Sequence, residues 1–131
     1  MGTHGTVGVV REEETLYAER TLDGYGVALN FEAMVSDLDK MDEEEFVEKY
    51  IRKAEWGNGT LEIVTIKEVD GKIVTEGDRE EEEEYGAYVN FVERKITITP
   101  SLVEIGLGKI CELRKRLLEK GWTLESEYLL R

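Results

Sequence analysis

Two Asp-Gly pairs, at 23–24 and 70–71, each stand between two β-prone runs. Such a pair lets a strand reverse within two residues, because glycine, and to a lesser degree aspartate, tolerates positive φ. Each pair therefore predicts a hairpin. The first joins "TLYAERTL" (15–22) to "YGVALNF" (25–31), and along this second strand Tyr25, Val27, Leu29, Phe31, Ala33 and Val35 alternate onto one face. The second joins "TLEIVTIKEV" (60–69) to "KIVTEG" (72–77).

Two segments carry the longer period of a helix. Asp42 and Glu45 have capping-box spacing, and Phe46, Val47, Tyr50, Ile51 and Ala54 then follow the i, i+3, i+4 rule until "WGNG" (56–59) stops the helix. Pro100 and Ser101 open the other, with Glu104 at capping-box spacing from Ser101 and Val103, Leu107, Ile110, Leu113 and Leu117 as its apolar stripe; Gly121 ends it. Cys111 lies beside that stripe and reads as a small buried hydrophobe.

Between these anchors, 6–10 reads as an edge strand behind a flexible tail of residues 1–5. The run from Asp78 to Glu84, with five consecutive glutamates, is too repulsive for a sheet and reads as an exposed loop. "YGAYVNFV" returns to strand, "ERK" forces a tight turn before Ile96 and Ile98, and 122–131 closes the chain as a last strand with an apolar "YLLR" end. The order predicts one α+β domain over 1–131, an antiparallel β-sheet with two helices packed on one face.

"YGVALNF" (25–31) is echoed by "YGAYVNF" (85–91), and a Trp/Gly pair and "TLE" follow each helix, at 56–57 and 60–62 and again at 121–122 and 123–125. These features predict pseudo-duplicated strand-helix-strand halves, at about 15–77 and 84–131, in a ferredoxin-like layout with extra hairpins. The alternative is a helix-grip or TATA-binding-protein-like curved sheet. In a duplicated fold Asn30 and Asn90 are equivalent, and with Tyr25, Tyr85 and Tyr88 they are the candidate contacts for a small ligand in a groove between the repeated strands.

Composition removes other chemistries. One histidine, His4, and one cysteine do not make a zinc site or a catalytic triad, and the acidic runs lack the alternating ligands and central glycine of an EF-hand loop. No metal and no cofactor is expected. "GLGK" (106–109) lacks the upstream glycine and following Ser or Thr of a phosphate loop. A net charge of −13, with basic residues clustered only at Arg114 to Arg116 and Lys120, speaks against direct nucleic-acid binding.

The absence of Gln, with three Asn and 30 acids against 17 bases, is the usage expected of a hyperthermophile. A single cysteine, no apolar leader and no membrane-length apolar run predict a soluble, cytoplasmic protein. The function this leaves is a non-catalytic protein-interaction module, acidic and thermostable, that pairs with itself as a homodimer or with a protein partner through an exposed strand edge or sheet face. The alternatives are the small-ligand-binding protein or enzyme built on the asparagine groove, and an acidic regulator of a nucleic-acid-binding protein acting through Glu80 to Glu84.

Overall fold

The computed structural model describes residues 3–78, 84–105 and 107–126. In chain order they form β1 (Gly5–Val10), β2 (Glu14–Leu22), α1 (Gly26–Lys40), α2 (Glu43–Val47, continued by a π-helical stretch over Glu48–Lys53), β3 (Asn58–Val69) and β4 (Lys72–Glu76). These are followed by β5 (Tyr85–Asn90), β6 (Lys95–Ile98), α3 (Pro100–Ile105), α4 (Leu107–Glu119) and β7 (Thr123–Glu125). The fold is α+β. The strands join in one open sheet of order β4-β3-β2-β1-β5-β6-β7.

The sheet is mixed, which corrects the antiparallel expectation. β1 runs parallel to β5, with Val7 beside Ala87 and Val9 beside Val89, and β6 runs parallel to β7; the other neighbours are antiparallel. β1, expected at an edge, is central. Its sequence GTVGVV carries no charge and is buried along nearly its whole length, as a strand covered on both faces requires. The expected tail is shorter too, because Thr3 accepts a hydrogen bond from Gly24 N–H (2.7 Å) and His4 accepts from Glu84 N–H (3.1 Å).

A second correction concerns residues 25–40, which form a helix and not the far arm of a hairpin. Asp23 does take positive φ (56°), yet the chain turns from β2 directly into α1. Val27, Phe31, Met34 and Val35 are buried at helical spacing, whereas Leu29, inward in the alternating pattern, is 70% exposed. The two echoed heptapeptides therefore adopt different structures, "YGVALNF" in a helix and "YGAYVNF" in a strand. Among the described residues four helices stand where two were expected, and the strand order β4-β3-β2-β1-β5-β6-β7 is not the ferredoxin-like one.

The start of α1 is set by a tertiary contact. A Cβ at Gly26 would overlap the Trp56 carbonyl oxygen, so only glycine lets the helix begin against that backbone. The Trp56 turn is itself held from two sides. Trp56 Nε1–H donates to the Tyr50 carbonyl (2.8 Å), and the Arg20 guanidinium donates to the carbonyls of Ala54 (3.1 Å), Lys53 (3.2 Å) and Gly59 (2.9 Å). Arg20 thereby satisfies helix-end carbonyls that the π-helical stretch leaves open.

Local signals behave as predicted elsewhere. Asp42 Oδ1 accepts from Glu45 N–H (2.8 Å) and starts α2. Asp70 (φ 52°) and Gly71 (φ 77°) form the type I′ turn that joins β3 to β4. The turn after β5 spans 91–94, with Arg94 at φ 52°. The Ser101 cap is the exception: α3 already begins at Pro100, so Ser101 lies inside the helix, and the Thr99 carbonyl accepts from Leu102 N–H (3.1 Å).

All helices pack on the sheet face carrying Val7, Val9, Leu16, Ala18, Ala87, Val89, Ile96 and Leu124, and enclose one core with Phe31, Met34, Phe46, Ile51, Leu102, Ile110 and Leu117. Cys111, expected in this core, is exposed.

The two glycines predict different costs in chemical denaturation. Gly26→Ala meets backbone and should lose about 3 kcal/mol or more. Gly71→Ala has open space around its Cβ, and should lose only the left-handed backbone term of about 1–2 kcal/mol. Equal tolerance of both would contradict the contact that places α1.

Candidate functional site

The five residues singled out in the sequence are distributed over both sides of the sheet. Asn30 lies in α1 and donates from Nδ2 to the Gly26 carbonyl (2.8 Å), one helical turn back. Asn90 ends β5, where its Oδ1 accepts from Val92 N–H (3.0 Å) and Glu93 N–H (2.9 Å) and so shapes the turn into β6. Each side chain is committed to its own segment. Tyr25 is exposed at the start of α1, and Tyr85 packs half-buried against the core. Tyr88 points to the opposite face, over Gly8, edge-on to Tyr17 with ring centroids 6.1 Å apart.

Two of the four residues of the basic cluster, Arg116 and Lys120, together with Lys109, are engaged by α1. Arg116 donates to Ser36 Oγ (3.3 Å), Lys120 pairs with Asp39, and Lys109 pairs with Glu32 (3.3 Å). These contacts ascend both helices together, so α1 and α4 run side by side in the same sense. Lys109 and Glu32 rim a cavity of about 240 Å³ between them, lined by Leu29, Leu102, Ile110 and Leu113. A second cavity, of about 160 Å³, is lined by His4, Glu19, Arg20, Glu62 and Asp78. Among the described residues no group of three His, Cys, Asp or Glu side chains is placed to hold a metal ion. Of the run Glu80 to Glu84 only Glu84 lies among the described residues, as do only Trp122 to Ser126 of the last strand's 122–131.

The remaining feature is the edge at β4. Val69 and Lys72 close the two-residue turn and form a hydrogen-bonded pair, as do Lys67 and Val74 further along. Alternation then sends the N–H and C=O groups of Ile73 and Thr75 away from β3, and among the described residues no strand lies on that side. Ile73 is 79% exposed and Val69 44%. The helices sit over β1, β2, β5 and β7 and leave this hairpin uncovered. The turn and both strands are legible in the sequence, and the one sign of the edge itself is "KIVTE", an apolar centre between opposite charges directly after Asp-Gly.

Compared with known proteins, the chain matches no family model, no curated protein and no solved structure. No helix among the described residues is long and apolar enough to cross a membrane.

One buried charge ties the helices that support the site. Asp37 Oδ2 accepts from Lys49 Nζ (2.7 Å) and Tyr50 Oη (2.5 Å). Burial alone would raise the Asp37 pKa, but these two hydrogen bonds hold it below its ordinary value; burial and the Asp37 carboxylate raise that of Tyr50. A carboxylate with a depressed folded pKa contributes its full stability above the unfolded value, near 3.8, and loses it as pH falls through the folded one. Asp37→Asn should therefore cost about 1–3 kcal/mol at neutral pH, and the difference from wild type should shrink below pH 4. A pH-independent difference in thermal melts would contradict this.

Proposed function

We propose that the protein is a non-catalytic interaction module whose working surface is the free edge of β4, and that it binds by accepting a further strand there. The observation that supports this is the pair of outward-facing residues, Ile73 and Thr75, on a hairpin that no helix covers. Two such residues offer four backbone groups in strand geometry, and main-chain pairing at an exposed edge is a recurrent way for one chain to hold another. Ile73 adds an apolar side chain beside these groups. Lys72 and Glu76 flank them with opposite charges that a partner strand has to match.

The geometry also sets the character of binding. A five-residue edge buries less than a standard protein interface, so association is of the weak or transient kind unless other surfaces join it. At −13 the chain repels acidic partners at long range, a second copy of itself included, so binding at this edge rests on short-range backbone pairing and not on electrostatic capture.

Proline at position 75 removes one outward N–H while leaving the β3–β4 ladder intact, since the Thr75 N–H faces away from β3. Thr75→Pro should keep the wild-type circular dichroism and melting behaviour and lose every assembly that the wild type forms in light scattering. A folded Thr75→Pro variant that assembles as the wild type does would contradict the proposal.

A further inference from the structure

Edge docking leaves the identity of the incoming strand to be found, and β4 is its own complement. We infer, resting on the edge-docking reading above, that the partner strand is β4 of a second copy of this chain, paired antiparallel about a twofold axis through Val74.

Register selects this pairing. Pairing at this edge requires the outward groups of Ile73 and Thr75 to face outward groups of the partner, and three twofold registers within β4 do so. With the axis at Ile73, Thr75 falls opposite the partner's Gly71, inside the turn at φ 77°, and Glu76 falls opposite the partner's Asp70, two like charges. With the axis at Thr75, Ile73 falls opposite the partner's Gly77, whose φ of 95° is outside strand conformation. With the axis at Val74, all five positions lie in strand.

In that third register Ile73 and the partner's Thr75 exchange both backbone hydrogen bonds, and the twofold repeats the exchange, making four in all. Lys72 stands opposite the partner's Glu76, and Glu76 opposite the partner's Lys72. Val74 faces Val74 of the partner subunit across a non-hydrogen-bonded pair. The two sheets join into one continuous sheet, and both β4 edges disappear from solvent. An isologous contact of this kind closes on itself and stops at a dimer, whereas a heterologous edge contact would propagate.

Cysteine cross-linking reads the register directly. Facing residues of a non-hydrogen-bonded antiparallel pair have Cα atoms about 4.5 Å apart, within disulfide range, while diagonal neighbours stand about 7–8 Å apart. Cys111 is exposed and is first replaced by Cys111→Ser. On mild oxidation Val74→Cys should form a covalent dimer, with Ile73→Cys and Thr75→Cys each cross-linking at least about tenfold more slowly. Lys72→Glu should weaken the non-covalent dimer about tenfold, because it creates two like-charge pairs, and the double variant Lys72→Glu with Glu76→Lys should recover it.

Faster cross-linking through position 73 or 75, no cross-linking at 74, or no recovery in the double variant would each overturn the inference. The two readings fail separately. If Thr75→Pro abolishes assembly but Val74→Cys does not cross-link, edge docking stands and the β4–β4 pairing about Val74 is excluded; if Thr75→Pro changes nothing, edge docking itself falls.

Discussion

The parallel pairing of β1 with β5 is the constraint on which the other placements rest. It joins residues far apart in sequence, Val7 with Ala87 and Val9 with Val89, and makes the uncharged β1 the centre of the sheet. A central strand needs cover on both faces, and the helices supply it on one by packing over β1, β2, β5 and β7. The cover is spent there. β3 pairs with β2 but extends past the helices, and β4 hangs from β3 with no strand on its other side among the described residues. The exposed edge is thus a consequence of where the core lies.

Around that centre the helices are fixed by polar contacts between segments. Arg20, on β2, binds the carbonyls at the end of the π-helical stretch; Trp56 binds Tyr50 and sets its own carbonyl against Gly26; Asp37 on α1 takes Lys49 and Tyr50. Each bond satisfies a group whose burial without a partner would be costly. Together they determine where α1 starts and how it lies, and the ascending contacts from Glu32, Ser36 and Asp39 to α4 continue the same seam. The result is a helical layer packed over β1, β2, β5 and β7, with the tip of the β3–β4 hairpin beyond it.

What the sequence made legible was local. Asp42 with Glu45, and Asp70 with Gly71, announce their structures because the interactions they make span only a few residues. Residues 25–35 were not legible in this way: Val27, Leu29, Phe31, Ala33 and Val35 satisfy a strand, while Val27, Phe31, Met34 and Val35 satisfy a helix. The decision is made by Trp56, some thirty residues on. The second copy of the same pattern meets no such partner, and pairs with β1 instead. Asn30 and Asn90 inherit this difference, one bonding back along its helix and the other closing a turn. The central place of β1 had a legible sign, its lack of charge, but its parallel neighbour lies eighty residues away and left no local mark.

The β4 edge is most directly tested by amide hydrogen exchange read residue by residue along the strand at two protein concentrations. The account predicts a period of two at high dilution, with Ile73 and Thr75 exchanging much faster than Lys72 and Val74, whose N–H groups bond to β3. At high concentration Ile73 and Thr75 should become protected while their neighbours change little. Uniform protection along β4 at every dilution, or outward amides that stay unprotected as the concentration rises, would contradict it.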